Sequence, residues 1–225
     1  MSMSRFKLLV VPFIVIGTLA LGACATNQVD RKQATEQKAR DMSGTVWATN
    51  YQVDATLVSL NNLMSAEGPQ LQQAFDQYSA DVDRMHKQAD KVAEDSAYIN
   101  KESDEYLSNW QKQNNDIQNA NLRDNSEQGR QAVRDQFRNA QGSYDNARTS
   151  MDRFIRTLED VRTALRNDLS ERGIKGVART NVVQTARKDA REVKTALRAV
   201  RNDSTALARA LSPTAQPVAA ATEEQ

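Results

Sequence analysis

The chain has 225 residues, and its 30 lysines and arginines nearly balance its 29 aspartates and glutamates, for a formal charge of +1. This balance lacks the basic excess typical of nucleic-acid-binding domains, so we expect no nucleic-acid partner. One cysteine excludes an intramolecular disulfide, and one histidine, His86, leaves too few ligands for a metal site and too few bases for a catalytic triad. We therefore predict a protein that is not an enzyme and has no cofactor, no metal and no small-molecule substrate.

The amino terminus is typical of a secretory signal peptide. Two basic residues, Arg5 and Lys7, precede an apolar run over residues 8–21. This run is shorter than the roughly 20 apolar residues of a transmembrane helix. Basic residues, a short apolar run and then small residues predict a signal peptide over residues 1–23.

The segment Leu21-Gly22-Ala23-Cys24 resembles the lipobox of bacterial lipoproteins. The resemblance implies that diacylglycerol is attached to the thiol of Cys24, that the chain is cut just before it, and that the membrane is a partner through this lipid. By the sorting rule of such lipoproteins, Ala25 in place of Asp implies the outer membrane of the cell envelope, facing the periplasm. The alternative is an ordinary secretory signal with an incidental cysteine.

The rest of the chain favours long helices. Residues 70–212 contain no proline and are rich in Ala, Gln, Arg, Asp and Leu. Apolar residues at alternating spacings of four and three predict helices that pack as in coiled coils. We predict an all-α fold with helices over about 30–66, 70–117, 124–169 and 175–211. A lipidated tether over 24–29 precedes them and a disordered tail over 212–225 follows.

The predicted helices differ in how regular their seams are. The third predicted seam has no irregular step and consists of Val133, Phe137, Ala140, Tyr144, Ala147, Met151, Phe154, Leu158, Val161 and Leu165. The second includes three polar residues, Ser96, Ser103 and Gln113. The fourth consists of Val183, Ala186, Ala190, Val193, Leu197, Val200, Ser204, Leu207 and Leu211. The first is the least regular and consists of Met42, Val46, Asn50, Val53, Leu57, Leu60 and Met64.

Three short breaks separate the predicted helices. Gly68-Pro69 is typical of a helix end followed by a helix start. Asp124 and Glu127 resemble a capping box, and Ser170–Gly176 holds two glycines. Short connections make successive helices antiparallel, so we predict an elongated up-down-up-down bundle with a long central hairpin.

A stripe of basic residues is the main candidate binding surface. Steps of four and three put its members on one face of the fourth predicted helix: Arg187, Arg191, Lys194, Arg198 and Arg201. Such a stripe could bind an anionic partner, namely phospholipid, lipopolysaccharide, polyanionic cell-wall material or an acidic protein. The alternative is a solvated face that pairs with acids on neighbouring helices.

The tip of the central hairpin is the second candidate surface, rich in Asn, Gln and Asp. The residues that could bind glycan or the backbone of a partner are Trp110, Asn114, Asn115, Ile117, Asn119, Leu122 and Arg123. The alternative is an extended polar turn, in which Trp110 and Tyr106 fill the seam.

From Trp110 to Val177 the chain resembles a family of bacterial lipoproteins classed as domain of unknown function 2959. The matching residues are Trp110, Leu122, Arg123, Ser126, Tyr144, Met151, Asp160, Leu165, Leu169 and Ile174. Within 165–170 the chain departs from the family pattern Leu-Lys-His-Asn-Leu-Asn, with Arg166, Asn167, Asp168 and Ser170 at four positions. The resemblance implies helices and an envelope location, but no known activity.

These features lead to three hypotheses. The first is a non-enzymatic, membrane-anchored envelope lipoprotein that acts as a structural scaffold or adaptor, with an envelope protein or a second copy of itself as partner. The second is a binding module for anionic lipid or glycan that uses the basic stripe. The third is a helical-hairpin component of a secretion, efflux or pore-forming assembly.

Overall fold

The computed structural model describes the backbone of residues 23–212 and the side chains of residues 33–212. This part of the chain forms five helices and no strand: α1 (Ala23–Met64), α2 (Gln70–Asn115), α3 (Ala120–Asn167), α4 (Glu171–Ala178) and α5 (Val182–Leu211). The predicted signal peptide up to residue 22 and the predicted tail from residue 213 lie outside the described residues. None of these five helices is both long and apolar enough to cross a bilayer.

The four long helices form an antiparallel bundle, as predicted. α1 packs against α2 and α5, and α3 packs against the same two helices, so that α1 and α3 lie diagonally opposite each other. At about 1.5 Å per residue, α2 and α3 are each roughly 70 Å long, α1 about 63 Å and α5 about 45 Å. The all-α elongated bundle with a long central hairpin is therefore confirmed.

The core is a row of narrow layers along the bundle axis. All ten residues of the predicted α3 seam are buried, from Val133 to Leu165. The buried seam of α1 differs from the predicted one and consists of Thr35, Ala39, Met42, Val46, Thr49, Val53, Thr56, Leu60 and Leu63. Asn50, Leu57 and Met64 are only half-buried. The α1 seam has a regular four-three spacing once its three buried threonines are counted as members.

Two predicted helix starts are wrong. The expected tether over residues 24–29 is part of α1, which begins at Ala23, because the segment contains neither glycine nor proline to interrupt a helix. The third helix begins at Ala120 rather than near 124, because the side chain of Asn119 accepts a hydrogen bond from the Leu122 amide at 3.2 Å and caps it. Asp124 therefore lies inside α3.

The predicted fourth helix over 175–211 is two helices. α4 begins after Ser170, whose hydroxyl accepts a hydrogen bond from the Gly173 amide at 3.2 Å. It ends where the Thr180 hydroxyl donates to the Val177 carbonyl at 2.7 Å, and α5 starts at Val182. Ile174 and Val177 are buried, so α4 covers the end of the core. The predicted break at Gly68-Pro69 is confirmed, with Gly68 at a positive φ of 52°.

Candidate functional site

The basic stripe of α5 lies along the junction with α1. The guanidinium of Arg187 donates to the Asn61 side-chain oxygen at 2.8 Å. The ammonium of Lys194 pairs with the Asp54 carboxylate at 2.5 Å. These two residues therefore support the alternative in which the stripe pairs with polar groups of a neighbouring helix.

The other three stripe residues, Arg191, Arg198 and Arg201, are exposed. Within the part of the chain that the structure describes, none of them forms a salt bridge. Arg198 donates only to the hydroxyl of Thr195, at 3.1 Å. The stripe is thus divided into two residues held by α1 and three whose positive charge faces solvent.

Sequence reasoning missed an exposed apolar row on α1. Trp47, Tyr51 and Val58 are 71%, 65% and 57% exposed. The rings of Trp47 and Tyr51 are stacked, with centroids 5.9 Å apart and an interplanar angle of 16°. The sequence carried a signal, because all three residues lie outside the four-three seam of α1 and yet are large and apolar.

Trp110 belongs to the core of the hairpin rather than to a free surface. Its Nε1 donates to the Ser126 hydroxyl at 2.9 Å. Its ring meets Tyr106 edge-to-face at a centroid distance of 5.8 Å, and its six-membered ring lies 3.4 Å from where a Cβ on Gly129 would stand. Trp110 therefore fills the seam between α2 and α3, as the alternative for the tip predicted.

The remaining tip residues differ in their exposure. Asn114 is only 4% exposed, and its side-chain amide donates to Glu127 at 3.4 Å. Asn119 is used as the cap of α3. Asn115 and Arg123 are exposed, Ile117 is half-buried, and Leu122 is 60% exposed. Leu122 is the one large apolar side chain that the described part of the tip exposes.

An ion pair stiffens the base of this tip. Arg130 donates to both carboxylate oxygens of Glu127, at 2.8 and 2.6 Å. These hydrogen bonds, together with one from Gln131, lower the pKa of Glu127 to about 2. The carboxylate is thus fully ionised at neutral pH and is an acceptor only.

The structure brings no catalytic constellation together around His86. Its Nε2 lies 2.9 Å from the carboxylate of Glu159 on an exposed surface, and Arg162 also pairs with Glu159. Among the described residues, no group of three His, Cys, Asp or Glu side chains is placed to hold a metal ion. The backbone of Cys24 lies in the first turn of α1, and its side chain is outside the described set.

A family model described as "Protein of unknown function (DUF2959)" matches residues 28–211, which is nearly the whole bundle. The chain belongs to this family. The match extends the resemblance seen over Trp110–Val177 to all four long helices. No curated protein and no solved structure matches the chain.

In this DUF2959 member the segment over 165–170, which differs from the pattern given above at four positions, forms the last residues of α3 and the turn to α4. Ser170 is the α4 cap and also donates to the Asp168 carboxylate at 2.6 Å. Ser and Asn are both good capping residues, so Ser170 preserves the local structure that Asn would give. The observed contacts of this segment stabilise the turn by which the chain passes from α3 to α4.

Proposed function

We propose that the protein is a non-enzymatic lipoprotein of the cell envelope, held on the periplasmic face of the outer membrane by lipidated Cys24. Its helical rod would be a scaffold or adaptor for an envelope protein or for a second copy of the chain. The observation that carries this proposal is the continuity of α1, which runs from Ala23 to Met64 without a break. A helix that starts at the lipobox joins the anchor to the bundle without a loop.

The direction of α1 then distinguishes two ends of the rod. The near end holds the start of α1, the α2–α3 turn and the carboxyl end of α5. The far end holds the α1–α2 turn and α4, about 60 Å away along α1. An adaptor of this shape would present different residues to partners at its two ends.

The anchor is tested by mass spectrometry of the protein purified from membranes. We expect a mature chain that begins at Cys24 and carries the mass of the attached lipid, and a Cys24→Ser variant that remains uncut and unmodified. An unmodified Cys24 in the wild-type protein would overturn the anchor. Ala25→Asp is the matched variant for location, because it should keep the lipid but move the protein to the inner membrane.

The adaptor role is tested by photo-crosslinking in cells, with probes on exposed residues. Leu122 and Arg123 sample the near end, and Glu67 and Arg172 sample the far end. Lys87, exposed on the middle of α2, is the matched control. An adaptor predicts a discrete crosslinked product from at least one end and none from Lys87. Equal products from all five sites, or none from either end, would contradict the role.

A second candidate function is supported by the length of the central hairpin. The register set by the Arg153–Glu192 salt bridge puts the end of α5 level with about residue 134 of α3. The rest of the hairpin projects past α5 by about 20 Å, with exposed Leu122 near its tip. Such a projection would suit a hairpin component of a secretion, efflux or pore-forming assembly. That role predicts ring-like oligomers by mass photometry of the lipidated protein, whereas a monomer or dimer would exclude it.

A further inference from the structure

The exposed aromatic row of α1 and the free arginines of α5 lie side by side. The two contacts that fix the register, Asn61–Arg187 and Asp54–Lys194, are one heptad apart on both antiparallel helices. One further heptad brings Trp47 level with Arg201. The same register puts Val58 and Tyr51 within one residue of the level of Arg191 and Arg198. These residues flank the junction on its outer side, where Tyr51 and Val58 border the groove between α1 and α2 and Arg191 borders the groove between α3 and α5. We call the surface made by Trp47, Tyr51, Val58, Arg191, Arg198 and Arg201 the Trp47 face.

The Trp47 face combines two kinds of group that are rarely left exposed together. Its aromatic pair is stacked and more than three-fifths exposed, so the side of the rod presents apolar aromatic surface to solvent. Its three arginines have no acidic partner among the described residues, because the nearby carboxylate of Asp54 is taken by Lys194. The face is therefore apolar and positively charged.

A second copy of the chain does not fit this face. Three partly exposed side chains offer roughly 400 Å² of apolar surface, since a full aromatic side chain contributes about 150–250 Å². A stable protein interface buries about 800 Å² of total surface on each partner, so the three arginines would have to be buried together with the apolar side chains. In a two-fold dimer the face would also meet itself, so that Arg191, Arg198 and Arg201 would oppose like charges.

An anionic bilayer surface fits both kinds of group. Trp and Tyr prefer the level of the lipid headgroups, where one part of the ring is apolar and another is hydrated. Arginine binds phosphate with two parallel hydrogen bonds, and basic residues near an anionic membrane favour binding. The face follows the straight outer side of two helices, so it is long and open, as contact with a flat bilayer requires.

We propose that the Trp47 face docks on a bilayer that contains anionic phospholipid, with Trp47 and Tyr51 at headgroup depth and Arg191, Arg198 and Arg201 on lipid phosphates. This docking goes beyond the scaffold role, because an anchor at one end leaves the tilt of the rod undetermined. A lateral lipid contact lays the rod along the membrane and turns α3, diagonally opposite α1, toward the periplasm.

The two tryptophans of the chain, Trp47 and Trp110, make the test specific. In Trp110→Phe the only tryptophan is on the face, and in Trp47→Phe the only one is in the hairpin core. Each lipidated full-length mature variant is reconstituted into vesicles of phosphatidylcholine, alone or in equal parts with phosphatidylglycerol. Flotation reports attachment, and quenching of tryptophan emission by brominated lipid reports contact with the bilayer.

We expect Trp47 emission to shift to the blue and to be quenched in the phosphatidylglycerol vesicles but not in the neutral ones. We expect Trp110 emission to be the same in both. A protein that floats with neutral vesicles but leaves Trp47 unquenched in both would overturn the docking and leave the anchor intact. A protein that floats only with anionic vesicles, with Trp47 quenched, would overturn the anchor and keep the docking. No flotation with either would overturn both.

Variants of the three arginines, together with control vesicles, distinguish docking on anionic lipid from binding of a second copy or of glycan. Replacing Arg191, Arg198 and Arg201 by Gln is expected to lower the ratio of docked to undocked protein about fivefold for each lost charge, which corresponds to about 1 kcal/mol. Gln at Arg138, Arg148 and Arg156, exposed on α3, is the matched control and should change nothing. A Trp47 shift in neutral vesicles that grows with protein concentration would assign the face to a second copy. A Trp47 emission shift that occurs only after an anionic glycan is added would assign the face to glycan. Either result would overturn the proposal.

Discussion

Gly173 lies directly against the main chain of Asp168 across the turn between α3 and α4. A Cβ built on Gly173 would stand 1.9 Å from the Asp168 carbonyl oxygen, a backbone atom that cannot move aside without the turn. The close approach lets α4 fold back on the end of α3, so that Ile174 and Val177 reach the core.

This contact predicts that alanine at two glycines of α4 changes the free energy of unfolding in opposite directions. Gly173→Ala should lower the free energy of unfolding by about 1–3 kcal/mol, as overpacking does. Gly176→Ala, where a Cβ would meet no atom within 4 Å, should raise it by about 0.5–1 kcal/mol through helix propensity. Urea denaturation of both variants measures the difference. Equal effects would mean that α4 is not held against Asp168.

A buried carboxylate of α5 depends on a threonine of α3. Asp189 is 3% exposed and accepts a hydrogen bond from the Thr157 hydroxyl at 2.8 Å. Thr157→Val keeps the shape but leaves this buried charge without that donor, so we expect a loss of about 1–3 kcal/mol. Thr49→Val is the control, because the fully buried Thr49 donates to the Thr45 carbonyl of its own helix at 2.8 Å, and its contact with α2 is a long one, at 3.4 Å, to the uncharged amide of Gln88. Denaturant midpoints should fall for the first variant and stay near wild type for the second.

The threonines of α1 also explain where sequence reasoning succeeded and failed. The α3 seam was predictable because all ten of its members, such as Phe137 and Leu158, are apolar, aromatic or alanine. Thr49 and Thr56 are equally buried, but a pattern of apolar residues passes over them. Their hydroxyls donate to carbonyls one turn back, at 2.8 and 2.7 Å, which removes the cost of burying them.

The contacts of the candidate surfaces could be predicted only in part. The spacing of the α5 stripe correctly placed its residues on one side of the helix, yet it carried no information about Asp54, which neutralises Lys194 from another helix. Trp47 is a large aromatic side chain, and burial is the usual expectation for it. Its position outside the four-three seam of α1 was the sequence signal against burial, and the packing of α1 against α2 and α5 leaves the side chain facing outward.

Two buried tyrosines differ in how well their hydroxyls are hydrogen-bonded. The Tyr78 hydroxyl donates to the Leu158 carbonyl at 2.7 Å, whereas the Tyr144 hydroxyl has only a weak interaction with Ser204 and no hydrogen bond of good geometry within the described residues. Tyr78→Phe should therefore cost about 1 kcal/mol of unfolding free energy. Tyr144→Phe removes a buried polar group that has no hydrogen bond of good geometry and should be close to neutral or stabilising. Thermal unfolding compares the two, and a larger loss for Tyr144→Phe would contradict the assignment.

Asp81 links α1 to α2 and gives the bundle a predictable acid sensitivity. Burial alone would raise the pKa of this carboxyl, but hydrogen bonds from Gln77, Arg84 and Gln52, at 2.9, 2.6 and 3.0 Å, outweigh it and hold the pKa below the ordinary 3.8. A folded-state pKa below the unfolded one stabilises the fold at higher pH. This stabilisation is complete above the unfolded value and is lost as the pH falls through the folded one.

Asp81→Asn should therefore be less stable than wild type at neutral pH and lose less stability on acidification below about pH 4. Urea midpoints measured from neutral pH downward test this, with Asp90→Asn, an exposed carboxylate of the same helix, as control for the lost charge. If wild type and Asp81→Asn fell in parallel, the hydrogen bonds around Asp81 would not favour its ionised form. The acid response would then come from other groups, and Gln52 would join α1 to α2 without any dependence on charge.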